Sequence, residues 1–513
     1  MTKTGLTLES FASPAMIKME QQIMEMYQKG LNKMTPETSI DLSSYDYFTS
    51  GQKAFVRDVF ESVNQFNLIQ GDAGTGKTSA MKAVRELKPS KNLLGLAYTG
   101  KAASELEDKA GIKSKTIDQL LNEIKNRSTK QKAFDKMSGK YSGIWLIDES
   151  SMIGSAQLLK LMKLAKSESA KVFFIGDSKQ LQAIAAGRMF KELQTNKHIE
   201  LTETLRQKRF VIRNVVELVK QKEIQTGLEM LRQNGNFIET SSIDAMILDY
   251  IKNNGDMIIT SRNKDRELIN QKTRSVLKEF GKIGKKDHQF TVETEKQMSD
   301  SQKCMANSYQ PGDEIMINNV KGVQSGSRFI VEGINRKKNQ VHLKTTPTIR
   351  IWDTDQEKFD HIKRKKHQRI TINLMESDIT ALKRAKKEFS KGERVIFTRN
   401  DKYLNVKNGN IGIVANIQPE QMQIQVDNRL INIDSQDYAS IDHAHAITVH
   451  KSQGQTAKNV YIYANNKGHH TTEFLYTGLS RASHEAKIYC ENYQQFMCQC
   501  MNEQEKQTSL SIG

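Results

Sequence analysis

The stretch Gly71-Asp72-Ala73-Gly74-Thr75-Gly76-Lys77-Thr78 constrains this chain more than any other, because it lies between the apolar run Phe66 to Ile69 and a helical pattern from Ser79 to Leu87. Glycines at that spacing let successive backbone N–H groups turn inward around a polyphosphate, and the following helix N-terminus adds its positive dipole end. Gly71, Gly74, Thr75 and Gly76 are therefore candidate nucleotide-binding residues, Lys77 reaches the β- and γ-phosphates, and Thr78 ligates Mg²⁺. ATP and Mg²⁺ are the expected ligands. An ordinary turn is the competing reading, and the full spacing between a strand and a helix speaks against it.

Beyond this loop the chain alternates strand and helix as a parallel α/β sheet requires. Leu93 to Tyr98 leads to Thr99-Gly100-Lys101-Ala102-Ala103, where a hydroxyl, backbone N–H groups and a lysine can grip a nucleic-acid phosphate. Ile144 to Ile147 delivers Asp148-Glu149 to the C-terminal end of a strand, the place where open sheets put ligands. Asp148 is expected to hold Mg²⁺ and Glu149 to orient or deprotonate the attacking water, with a plain acidic cap as the alternative. Val172 to Ile175 ends in Gly176-Asp177-Ser178-Lys179-Gln180, and Gln180 is neutral and long enough to sense a terminal phosphate. Arg206, in Leu205-Arg206-Gln207, is available for γ-phosphate charge, and the first lobe is expected to end there. Upstream, Gln52 can donate to and accept from an adenine edge. Before it, Ser13 and Pro14 open a helix whose Met16, Met19, Ile23, Met26 and Tyr27 read as a packing stripe.

A chain of 513 residues exceeds one core, and a second alternating lobe begins near Met257 to Thr260. It is interrupted from about 303 to 437 by short β-like runs, with Asn408-Gly409 as a hairpin signal, so a small inserted β-barrel-like module is expected. Its basic run His361 to Arg369 reads as a solvated hairpin, a phosphate-contacting loop or a nuclear-import signal. His443-Ala444-His445 lacks the third ligand a metal site needs and reads as a strand with one polar face. Seventy-seven Lys+Arg against 59 Asp+Glu leave a net charge of +18, which points to nucleic acid as partner, a merely basic surface being the alternative. Four cysteines suit a reducing cytoplasm, and neither a membrane-length apolar run nor a signal-peptide core is visible.

Gln52, GDAGTGKT (71–78), AYTGKAA (97–103), LIDESSM (146–152), GDSKQLQAI (176–184), LRQ (205–207), ITVHKSQGQT (447–456) and YTGLSRA (476–482) follow one another in the order of superfamily 1 helicase motifs. Among those families the chain most resembles the helicase region of TraI, the conjugative relaxase-helicase, over roughly residues 10 to 495, and the LQAI wording at Leu181 to Ile184 fits TraI better than the LPP form of RecD-like and Dda-like helicases. The resemblance implies an α/β fold of two RecA-like P-loop NTPase lobes with ATP at their interface, a barrel inserted in the second, single-stranded DNA across the top and 5′-to-3′ movement. The segments implied are an N-terminal helical piece (1–45), a first lobe (46–205), a second lobe in two parts (206–302 and 438–496) around the β-rich insertion (303–437), and a flexible tail (497–513).

Carried onto this sequence, Lys77, Glu149, Gln180, Arg206 and Arg481 are implied to be catalytic, the two arginines as fingers. Gln52 and Gly454 join the loop in nucleotide binding, Thr78 and Asp148 hold the metal, and Thr99, Lys101, Thr448, His450 and Gln453 contact DNA. Tyr98 departs from the usual proline and offers a stacking face. Nothing ahead of Phe48 is long enough for a relaxase domain, so nicking is not expected. The implied partners are single-stranded and duplex DNA, a separate relaxase and the conjugative transfer machinery, engaged by a cytoplasmic monomer. A RecD- or Dda-like repair or replication helicase, and a non-catalytic single-strand-binding relic, are the alternatives. The intact Lys77 and Glu149 count against the relic.

Overall fold

The computed structural model describes residues 14–502 apart from 38–39, 90–91, 126, 182–188, 196–197, 297, 299, 321–322, 324–325, 347, 354–357, 364–367, 376 and 402. The Ser13 cap, Gln182 to Ile184 of the LQAI stretch, the centre of the basic run (364–367) and the tail after 502 lie outside the described residues. Two compact units are present, one of Met1–Thr273 with His445–Gly513 and one of Arg274–Ala444.

The first unit holds two parallel sheets. Strands β1 (Phe66–Gly71), β2 (Leu93–Ala97), β3 (Ser114–Thr116), β4 (Gly143–Asp148), β5 (Ala170–Gly176) and β6 (Ile199–Leu201) lie in the order β3-β2-β4-β5-β1-β6. Because successive strand residues face opposite sides, near-continuous apolar runs are what a sheet covered on both faces demands. Phe66, Leu68, Trp145, Ile147, Val172 and Phe174 form one core with Ile23 and Tyr27 of the methionine-rich helix Pro14–Lys29. Ile69, Ile144, Leu146, Phe173 and Ile175 form the other, with Phe55, Val56, Val59 and Phe60 of helix Ser50–Glu61 and Ala80, Met81, Ala83 and Val84 of helix Lys77–Leu87. Burying each of the larger side chains stabilises by about 1.5–3 kcal/mol.

The second sheet is assembled from both ends of its lobe. Strands β7 (Phe237–Glu239), β8 (Met257–Thr260), β9 (Ala446–Thr448), β10 (Ala457–Ala464) and β11 (Ala482–Cys490) pair in parallel in the order β9-β8-β10-β11-β7. Helix Tyr493–Cys500 follows, with Phe496 and Cys500 buried, so ordered packing continues past 497, where a flexible tail was expected to start.

The β-rich unit begins at Arg274 and ends at Ala444, wider than the 303–437 expected. Strand His288–Glu295 pairs antiparallel with Asp378–Phe389, burying Phe290 and Val292. Its alternating polar residues hide it among helix-like sequence. At the other end Ile441–His443 pairs with Arg394–Phe397. The unit is a six-stranded sheet, in the order Arg369–Asn373, Gln340–Thr345, Arg328–Asn335, Glu314–Asn319, Asp378–Phe389, His288–Glu295, with a five-stranded sheet and a two-stranded ribbon, Thr348–Asp353 with Lys358–Lys363. No helix among the described residues is long and apolar enough to cross a membrane, and no group of three metal-ligating side chains occurs among them.

Candidate nucleotide site

Strand β1 is buried along its whole length and runs straight into the phosphate-loop sequence, after which helix Lys77–Leu87 begins. Gly74 and Gly76 adopt φ of 80° and 76°, the left-handed region that only glycine enters cheaply. A Cβ at Gly74 would lie 2.5 Å from Cβ of Arg206, and one at Gly76 would collide with the Gln52 amide. Lys77 folds back so that Nζ donates to the carbonyls of Gly71 (2.6 Å) and Asp72 (3.1 Å). Its charge acts on the carboxyls of Asp148 and Asp177. Thr78 occupies the second position of the helix, half-buried beside it.

Gln52 is placed differently from a base reader. Its Oε1 accepts from Thr49 N–H (3.1 Å) in a reciprocal cap of helix Ser50–Glu61, while Nε2 donates to the Thr75 carbonyl (3.0 Å). The amide is 2% exposed, and both of its ends are used on the chain itself. It braces the loop from behind, and nearby Leu205, 59% exposed, lies with its Cδ1 3.4 Å from the position of a Gly76 Cβ.

Asp148 and Glu149 stand at the C-terminal end of β4, as predicted. Asp148 Oδ1 accepts from Glu149 N–H (2.9 Å), and Glu149 is held at φ 53°, a strained conformation for a side chain of its kind. Burial, and then the neighbouring Glu149 charge, push the Asp148 carboxyl up to about 6. Two adjacent half-buried acids, opposed at Asp148 by the charge of Lys77, are an environment that a divalent cation relieves further, so Mg²⁺ fits Asp148 with the Thr78 hydroxyl.

Arg481 follows helix Thr472–Ser480 of the second lobe and is 2% exposed. Its guanidinium donates to the Thr477 carbonyl (3.1 Å), the Gln455 carbonyl (3.4 Å) and Gln180 Oε1 (2.6 Å), all neutral. Gln180 Nε2 in turn donates to Asp177 (2.8 Å). Arg206 donates to the Ser480 carbonyl (2.9 Å), and burial together with the Arg481 charge lowers it to about 10. Burial lowers Arg481 as well, and two buried guanidiniums with no carboxylate within ion-pair distance among the described residues mark a place for an anion.

The remaining predicted residues lie along the ligand edges of the two sheets. Thr99 follows β2 and caps helix Gly100–Ala110 through its hydroxyl (Ala102 N–H, 3.2 Å), which leaves its own proton free to donate. The Lys101 side chain lies outside the described residues. Thr448 ends β9, buried, and His450 sits half-buried in the helical turn Val449–Ser452. Gln453 Nε2 donates to the Leu181 carbonyl (2.7 Å), tying the second lobe to the first, and Gly454 has φ 74° with open space around it.

Three residues of the site were not found by sequence reasoning. Asp72, an acid inside the loop, is neutralised by Lys179 (3.1 Å) and Lys220 (2.8 Å), and these cations hold its carboxyl low against the opposing effect of burial. Tyr476 reaches the loop from the second lobe: Ala73 N–H donates to its hydroxyl (3.1 Å), which donates to Asp177 (3.0 Å). Leu205 is the third. An acid among phosphate-binding residues signals that cations must stand near it, but only the folded chain says which.

Residues 47–242 match the family model described as an AAA domain, and residues 443–489 the UvrD-like helicase C-terminal domain. The probable conjugal transfer protein TraA of Sinorhizobium fredii is 22% identical, with 87% of this chain and 33% of that protein covered. The multifunctional conjugation protein TraI of Escherichia coli K12 is 23% identical, with 90% and 28% covered. The RecBCD enzyme subunit RecD of Buchnera aphidicola is 23% identical, with 84% and 70% covered. The chain thus spans about a third of the length of its conjugation relatives. Among solved structures, a Pif1 helicase described in the context of DNA unwinding at forked dsDNA matches with a TM-score of 0.51 at 18% identity, over 88% of this chain and 94% of its own, which is a likeness of fold.

Proposed function

We propose, from the premise that the chain is a superfamily 1 helicase of the RecD-like kind and a homologue of the TraA and TraI helicase region, that it is an ATP-driven motor on single-stranded DNA that unwinds duplexes. The observation that carries this is the split site: phosphate loop and acids on one sheet, and on the other lobe a buried Arg481 whose partners are all neutral. In hydrolysis, Lys77 leaves the loop carbonyls for the β- and γ-phosphates, and Glu149 takes the proton of the water whose oxygen attacks the γ-phosphorus, the bond to the ADP oxygen breaking in line. Thr78 and Asp148 would hold Mg²⁺, which would supply positive charge against the phosphate oxygens. Gln180 aligns the terminal phosphate, while Arg206 and Arg481 meet the charge that develops there. A finger of this kind is worth ~10³–10⁵ in rate, so its position on the second lobe couples closure of the cleft to hydrolysis.

The finer reading is a 5′-to-3′ motor of DNA transfer, working as a cytoplasmic monomer beside a separate relaxase and the transfer machinery. Its support is that the conjugation proteins TraA and TraI align over 87% and 90% of this chain. A RecD-like repair role has its own support in the 70% of RecD that is covered. The DNA-contacting set proposed is Thr99, Lys101, Thr448, His450 and Gln453, with Gly454 at the nucleotide.

The test is ATP turnover with and without single-stranded DNA, for the intact chain and Glu149→Gln. DNA-stimulated turnover that falls at least about a thousandfold in the variant, with DNA binding retained, is the expected result. No turnover in the intact chain would replace the motor with a binding module. Unwinding of 5′-tailed but not 3′-tailed duplexes then checks direction.

A further inference from the structure

Tyr476 is buried to 1% exposure on helix Thr472–Ser480, yet its ring carries a hydroxyl that bridges two separate segments of the other lobe. It accepts from Ala73 N–H in the phosphate loop (3.1 Å) and donates to Asp177 Oδ2 (3.0 Å). Asp177 also accepts from Gln70 Nε2 (3.2 Å), Lys179 N–H (3.1 Å) and Gln180 Nε2 (2.8 Å), so this carboxylate is the hub of the group. Gln180 passes the arrangement to Arg481 through its other amide atom (2.6 Å). One residue along the helix, Thr477 Oγ1 accepts from Leu181 N–H (3.1 Å). A phenylalanine would fill the same space, so packing alone does not call for a hydroxyl.

We propose that Tyr476 is a positioning residue for hydrolysis: by joining the Ala73 amide to Asp177 it makes the posture of the phosphate loop and the alignment of the Gln180–Arg481 pair one event. This rests on the motor reading above. The tyrosine touches neither phosphate nor water, and acts through the finger. When the cleft opens, the loop amide, Asp177, Gln180 and the Leu181 amide lose their partners on this helix together, because all are held by residues 476 to 481. Because these contacts are all carried by six consecutive residues, they form and break as a set.

The experiment is Tyr476→Phe in the full chain, alone and combined with Arg481→Ala. DNA-stimulated kcat should fall about tenfold or more, by a larger factor than the affinity for ADP, which lacks the γ-phosphate. The double variant should be no slower than Arg481→Ala alone, since a residue acting through the finger has nothing left to position. Independently of any variant, amide exchange in the intact nucleotide-free chain should be at least about tenfold slower at Ala73 than at Gly74. Turnover of Tyr476→Phe within about twofold of the intact chain, losses that multiply in the double variant, or an unprotected Ala73 amide would each overturn the proposal. An intact chain that hydrolyses no ATP would instead overturn the motor reading, and the positioning role with it.

Discussion

Gln52 is spent entirely inside the chain, one end of its amide capping helix Ser50–Glu61 and the other holding the Thr75 carbonyl. Its chemistry as donor and acceptor was legible from residue type. Its partners were not, because Gly76 and Gln52 meet only after the loop has turned back over the helix start. Gln52→Ala should lose half of the cap and leave a loop carbonyl without its donor, destabilising the chain by about 1–3 kcal/mol in urea unfolding. Because the loop would then sample other conformations, ADP binding by calorimetry should weaken by roughly tenfold. A variant with unchanged stability and weaker ADP binding would return Gln52 to the nucleotide base.

Helix Thr472–Ser480 shows the same logic one level up. Gly478 faces β10 so closely that a Cβ there would lie 2.9 Å from Ile462 Cδ1. This close approach sets the depth at which Tyr476, Thr477 and Arg481 enter the cleft. Gly478→Ala should therefore cost about 1–3 kcal/mol in thermal unfolding through overpacking. Its kcat should drop on the order of tenfold, with KM for ATP changed less, because a shift of the helix moves the finger and leaves the loop in place. Equal kcat at lowered stability would show that helix depth is irrelevant to the chemistry. The sequence showed this segment only as the motif YTGLSRA (476–482), not as a helix, and it missed strand His288–Glu295, where alternating polar residues have no nearby turn to announce a sheet.

At the scale of the molecule, the net charge of +18 predicts binding dominated by phosphate contacts. Part of that charge is consumed internally: Lys179 and Lys220 serve Asp72, Arg274 serves Asp287, and Arg328 serves Glu293 and Glu314. Affinity for a single-stranded oligonucleotide should accordingly fall linearly with log salt, at a slope of about −0.7 for each phosphate neutralised. Fluorescence anisotropy across a salt series measures it, and a flat dependence would remove the electrostatic footing of the DNA reading. The alternation of strand and helix announced the two parallel sheets, while the true extent of the β-rich unit, Arg274–Ala444, emerged only from strand pairing across the interval.

The sequence by itself determined the local devices: a full phosphate-loop spacing of glycines, Lys77 and Thr78 between a strand and a helix, an apolar strand ending in Asp148 and Glu149, and the motif YTGLSRA that carries Arg481. Each is written in adjacent residues, because backbone conformation and strand-end chemistry are properties of neighbours. Tertiary structure alone decided the partners. Asp72 finds Lys220, Tyr476 finds Ala73 and Arg481 finds Gln180 across 148, 403 and 301 positions of chain, taking the differences of their residue numbers. Side chains so far apart are brought within hydrogen-bond reach by how helices pack on sheets, and no local pattern encodes that distance.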